Sequence, residues 1–108
     1  MANTFKLKTK ANVGVTTTAV YVAPGSTTTV VIGITASNIS GNNINVGIGI
    51  TRAAADDIHL MKNVPIPQGS SFEFMAGNKI VLETTDTITA KSDVANSLDV
   101  ALTIMEIT

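Results

Sequence analysis

The chain has 108 residues, which is enough for one domain and too few for two of ordinary size. Hydrophobic residues make up 44% and charged residues 14%, and the net charge is −1, so neither nucleic acid nor an anionic membrane is expected as a partner. No apolar stretch approaches the roughly 18 residues that span a bilayer, and no secretory signal is predicted after Met1. The absence of cysteine excludes disulfides, thiolate metal sites and cysteine nucleophiles.

Side-chain composition favours β-structure. Threonine, isoleucine and valine account for 39 of the 108 residues, and their stiff, branched side chains suit a pleated sheet better than a helix. Only residues 51–57 could form a helical turn, and this segment is too short to be a stable helix alone. The class predicted from composition is therefore all-β.

Residues 1–12 are predicted to be an N-terminal arm or edge strand, and residues 13–108 the domain itself. Three of the seven basic residues fall here within five positions. One interpretation is an exposed edge strand that lysines protect from pairing with other chains. The other is an arm that lies on a neighbouring subunit with its apolar residues as anchors. The candidate interface residues of this segment are Phe5, Lys6, Leu7, Lys8 and Lys10.

The first half of the domain reads as extended chain interrupted by turns. Residues 13–22 end at the turn signal Pro24-Gly25, and residues 28–37 form a strand with Ile32 and Ile34 on one face and Val31 on the other. Residues 44–51 alternate strictly, with isoleucine or valine at every second position, which a helix cannot satisfy. The glycines that face the other way predict a close backbone or a bend.

The second half continues in the same style. A rigid connector is predicted at 65–69, because prolines fix φ and lack a ladder donor. Short strands follow at 71–75, 79–83 and 87–91, with a turn at 76–78 between the first two. The last strand alternates from Leu98 to Ile104, and a β-bulge near Ile104 and Met105 is predicted where the phase breaks. The predicted fold is an antiparallel β-sandwich or jelly-roll-like single domain of eight or nine short strands.

No enzyme is predicted. The single histidine, His59, shares a strand face with Asp57, but no third metal ligand is indicated and a surface ion pair is the better interpretation. No serine lies on a nucleophile elbow, and four aromatic residues are too few for a glycan cleft. We therefore expect no catalytic residues, no metal and no cofactor.

The sequence resembles small virion structural proteins of tailed bacteriophages. The segments that carry this resemblance are 1–5, 64–71, 79–83, 86–88, 98–100 and 105–108. The resemblance implies a capsid decoration (cement) protein that stabilises the head shell. A tail, collar or fibre-associated module and a host-surface receptor or glycan binder are the alternatives.

The resemblance also implies partners and a location. A decoration protein is made in the host cytoplasm and contacts itself, as a homotrimer, and the major capsid protein or other virion proteins. It lies in the virion, on the capsid surface in preference to the tail. A chain that is more apolar than its core requires, and lightly charged, suits burial against copies of itself.

Overall fold

The computed structural model describes residues 3–52, 57–74 and 79–108, and within these ranges no helix is long and apolar enough to cross a membrane. Most of the predicted helical turn at 51–57 and the predicted turn at 76–78 lie outside the described residues. The strands in chain order are β1 (Asn3–Val13), β2 (Thr18–Val22), β3 (Thr28–Asn38), β4 (Ile44–Thr51), β5 (Ile58–Ile66), β6 (Ser71–Phe74), β7 (Ile80–Leu82), β8 (Thr87–Ser92) and β9 (Leu98–Ile107).

Two antiparallel sheets pack face to face. The first sheet has the order β1-β9-β3-β6, and β7 pairs with β3 on the same side as β6. The second sheet has the order β2-β8-β4-β5. Apart from the β4–β5 hairpin and the step from β6 to β7, each connection crosses from one sheet to the other, which is the order of a jelly roll. The predicted all-β sandwich is confirmed.

The core lies between the sheets and is built from alternating positions. The predicted inner face of β4 is correct, because Ile44, Val46, Ile48 and Ile50 are all buried. From the first sheet, β9 contributes every second residue from Leu98 to Ile104. Apolar side chains from both sheets thus remove one another from water, which is the main stabilising contribution in a domain without disulfides.

The predicted bulge in β9 is wrong, and the irregularity lies in β3 instead. The pairing of β3 with β9 shifts between Val31 and Gly33, so Val31 and Ile34 both face the core. The predicted opposite placement of these two residues is therefore also wrong. Alternation in β9 continues without a break to Ile107, which turns Glu106 inward and buries it.

Strand β5 lies at the edge of the second sheet, close to the backbone of β4. The predicted connector begins inside β5, where Pro65 is tolerated because the strand is at the sheet edge. Two register shifts in the β4–β5 pairing bring β5 toward the glycine face of β4. A Cβ on Gly49 would lie 2.8 Å from the carbonyl oxygen of Ile58. The close backbone predicted from the glycines is present.

Two buried polar side chains fix turns between strands. The amide of Asn38 donates to the carbonyl oxygens of Asn42 and Ile66, at 2.7 and 3.0 Å, and so holds the β3–β4 turn against the end of β5. The carboxylate of Asp86 accepts from Arg52 Nε at 3.2 and 3.3 Å, which joins the end of β4 to the turn before β8. Both side chains are satisfied in the interior, so their burial carries no unpaired polar group.

We predict that Gly49→Ala destabilises the domain, whereas Gly47→Ala on the same face of β4 has little effect. The new Cβ at position 49 would collide with a backbone oxygen that a side-chain rotation cannot move. At position 47 the nearest atom, the Met61 carbonyl oxygen, is 3.5 Å away, an ordinary contact. Overpacking of this kind costs about 1–3 kcal/mol, and each kcal/mol lowers the Tm of a small domain by roughly 4–8 °C. Thermal unfolding followed by circular dichroism measures both variants, and equal Tm values would contradict the prediction.

Candidate assembly surfaces

The structure places the candidate interface residues on an edge strand of the first sheet. Strand β1 pairs with β9 and is exposed along nearly its whole length, with Val13 at its end buried. Phe5 and Leu7 are 70% and 66% exposed and point away from the core. Lys6, Lys8 and Lys10 lie opposite inward-facing residues of β9, at the margin of the inner face.

An apolar row crosses the outer face of the first sheet. Phe5 lies opposite Met105, Met105 lies opposite Val30 on β3, and Val30 lies opposite Val81 on β7. Residues directly opposite in antiparallel strands share a face, so the four side chains form one line across the sheet. Val81 is 60% exposed, and Val30 and Met105 are half-buried. We call these four residues the outer row.

A polar cluster lies inside the sandwich near the same end of the first sheet. The hydroxyl of Tyr21 in β2 lies 2.6 Å from Glu106 Oε2 in β9 and 2.8 Å from Thr29 Oγ1 in β3. The other carboxylate oxygen of Glu106 accepts from Lys6 Nζ in β1 at 2.8 Å. The cluster therefore joins the second sheet to three strands of the first.

The environment of this cluster changes two pKa values. Hydrogen bonds from Lys6 and Tyr21 lower the pKa of Glu106, because both donors favour the charged carboxylate. Burial and, to a smaller extent, the hydrogen bond to Glu106 together raise the pKa of Tyr21 from 10.0 to about 12, because tyrosinate would be desolvated and would face a carboxylate. The tyrosine is thus held neutral and the glutamate charged over a wide range of pH.

A groove of about 390 Å³ lies over the outer face of the second sheet, between β5 and β8. Its floor includes Gly47 and Gly49, and both Asp57 and His59 line it. Both residues are exposed, which agrees with the predicted surface position of His59. Among the described residues, no group of three His, Cys, Asp or Glu side chains comes together to hold a metal ion.

Neither the cluster of Tyr21 and Glu106 nor the outer row was predicted from the sequence. The alternation of β9 indicates an inward position for Glu106, but the predicted bulge near Ile104 and Met105 would have turned its side chain to the outer face. No sequence pattern indicates the outer row, since the row depends on which strands pair and in what register. Sequence reasoning found the exposed residues of β1 from their charge pattern, without their neighbours on β9, β3 and β7.

The fold of this chain is similar to that of a known protein. The chain is similar to a solved structure from Bacillus endospore appendages, a family of disulfide-linked pili. The likeness has a TM-score of 0.60 at 14% sequence identity and covers 99% of this chain and 87% of the other. No family model matches the chain, and no curated protein matches it.

The predicted function as a phage capsid decoration protein is wrong on this finding, as are the tail and receptor-binding alternatives, because the structural likeness is to a bacterial pilus. The physical reason for the error is that alternating β-branched residues and turns specify a sandwich and not the particle it belongs to. The resemblance to phage virion proteins and the location in the virion stay predictions, since no family or curated match tests them.

We predict that Tyr21 of the folded protein ionises near pH 12, well above the ordinary 10.0 of a tyrosine. The chain has one tyrosine and no tryptophan, so the near-ultraviolet absorbance of tyrosinate reports this residue alone. In urea the same titration should return to about pH 10. Because the pKa is raised by folding, the stabilising contribution is complete below pH 10 and is lost as the pH rises toward 12. A midpoint near 10 in native buffer would contradict the buried hydrogen bonds.

Acid should weaken the same cluster through Glu106. Its pKa is lower in the folded than in the unfolded chain, so its stabilising contribution is present above the ordinary pKa of a glutamate and is lost as the pH falls through the folded value. We expect the Tm of the wild type to fall more steeply than that of Glu106→Gln between neutral pH and about pH 3. Parallel curves for the two proteins would show that Glu106 contributes nothing to the acid dependence.

Proposed function

We propose that this chain is a non-catalytic structural subunit that assembles with copies of itself into a pilus-like fibre. The observation that carries the proposal is the outer row, a line of apolar side chains across the whole width of a sheet face. Contiguous exposed apolar patches mark interaction sites on soluble proteins. The likeness of the fold to a pilus protein supports the same conclusion.

A second copy of the chain is the occupant that best fits this face. The outer row itself contains no charge, and its flanking residues on the same face include Leu7 and Ile107, which are also apolar. Burial of this face against the next copy removes apolar area of the outer row from water without desolvating an ionised group of the row. A contact that is not closed by symmetry repeats from copy to copy and gives a fibre.

The assembly proposed here is noncovalent. The structural neighbour belongs to pili that are disulfide-linked, whereas this chain has no cysteine. Disulfides therefore cannot link its subunits, which are held by noncovalent contacts. We expect reducing agents to leave the assembled protein unchanged in sedimentation and in electron micrographs, and disassembly by reductant would exclude a fibre made of this chain alone.

We predict that Val81→Lys prevents assembly and leaves the monomer folded. Val81 is 60% exposed at the sheet edge, so the change removes little from the core. In the assembled state an unpaired ammonium would be buried, which costs at least about 1.4 kcal/mol and raises the critical concentration about tenfold or more. Pelleting against protein concentration, with negative-stain electron microscopy of the pellet, measures this effect.

Ile39→Lys is the matched control. Ile39 is 46% exposed and follows β3 at the end away from the outer row, so its replacement adds the same charge at a different place. We expect it to assemble like the wild type. If Val81→Lys assembles equally well, the outer row is not the contact; if the wild type stays monomeric at all concentrations, the proposed function is wrong. Light scattering of the unassembled protein also tests the predicted trimer as the building unit.

A further inference from the structure

We propose that β1 is exchanged between copies, so that β1 of one subunit pairs with β9 of the next in an open chain. The inference rests on the proposed assembly and names the segment that links its subunits. The occupant of the β9 edge is then a second copy of this chain. Four features of the structure lead to this conclusion.

The first feature is how β1 is held. Among the strands that the structure describes, it pairs with β9 alone, and of its eleven side chains only that of Val13, the last, is buried. Its attachment consists mainly of backbone hydrogen bonds to β9, the hydrogen bond from the Asn12 amide to Asp99 Oδ1 and the ion pair between Lys6 and Glu106. Every one of these contacts can be supplied equally by β1 of another copy, so exchange conserves the interactions of the closed subunit.

The second feature is a pivot between β1 and the core. The pairing with β9 shifts between Lys10 and Val13, and Asn12 has a positive φ of 57°. Directly after this point the chain is fixed, because the carbonyl oxygens of Val13 and Gly14 accept from Ser97 and Ser92. Asn12 thus lies between a peripheral strand and an anchored segment, where a change in the backbone angles of a few residues can move β1 as a unit.

The third feature is the site that β1 leaves behind. Without β1, the edge of β9 has a row of unpaired backbone groups, and the carboxylate of Glu106 loses its lysine. Both defects are costly near the interior, so the open form requires a replacement strand. A replacement strand must place a cation beside the carboxylate of Glu106. Strand β1 of another copy does so through Lys6.

The fourth feature is reach. The segment from Asn3 to Val13 is eleven residues long, and an extended chain rises about 3.3 Å per residue, so a released β1 extends roughly 36 Å. The whole subunit is 45 Å along its longest axis. A released β1 can therefore lie along most of an adjacent subunit while its own Val13 stays anchored.

The absence of cysteine allows a direct test. Thr9 and Ala101 lie directly opposite on the outer face of β1 and β9, and cysteines at both positions are within the Cα separation of a disulfide. The double variant Thr9→Cys/Ala101→Cys is assembled under reducing conditions and then oxidised with diamide. The product is analysed by gel electrophoresis in sodium dodecyl sulfate without reductant. Exchange in an open chain predicts a ladder of covalent oligomers, and a single monomer or dimer band would overturn it.

A second measurement uses the same variant with the order of steps reversed. Dilute monomer is oxidised first, which ties β1 to its own β9, and is then concentrated. We expect assembly to be lost and then restored by reductant, while Thr9→Cys and Ala101→Cys alone assemble normally and give nothing larger than dimers on the gel. If the locked monomer assembles like the wild type, exchange is wrong although the proposed function stands. If the wild type itself never assembles, the proposed function is what fails.

Discussion

The arrangement of the two sheets depends most on the interactions of the Glu106 carboxylate, which are its hydrogen bond with Tyr21 and its ion pair with Lys6. The carboxylate is buried on the inner face because β9 alternates without a break, and it is charged there because Tyr21 and Lys6 both donate to it. One side chain thereby joins β9, the edge strand β1 and the opposite sheet. Hydrophobic packing between the sheets has no direction of its own, whereas this cluster specifies which parts of the two sheets meet.

The sequence predicted the fold class and the inner face of β4 correctly. Both depend on local patterns: branched side chains favour strands, and strict alternation from Ile44 to Ile50 identifies the buried face. The errors came from places where one residue changes the phase of a strand. A bulge in β3 puts Val31 and Ile34 on the same face although they were expected on opposite faces, and no local signal marks it, because its cause is the register with β9.

The candidate site was less accessible to sequence reasoning than the fold. The exposure of Phe5 and Leu7 could be predicted from the lysines between and after them. The position of Val30 and Val81 in the outer row could not, because it depends on pairing between strands that are far apart in the chain. The predicted function as a phage capsid decoration protein failed for a related reason. A sandwich presents the same alternation and turns in any extracellular or particle-bound assembly, so function depends on surfaces that only the tertiary structure creates.

The four lateral margins of the sandwich differ in how well another strand can join them. Strand β2 is five residues long with a shift near Val20, β6 and β7 have four and three residues, and β5 contains Pro65 and two shifts. Among the edge strands that the structure describes, only β1 pairs regularly with its neighbour, β9, over eight consecutive residues, from Asn3 to Lys10. If subunits join by strand pairing, as we propose, this margin restricts growth to one direction in space, which favours a thread over a two-dimensional layer or an irregular precipitate.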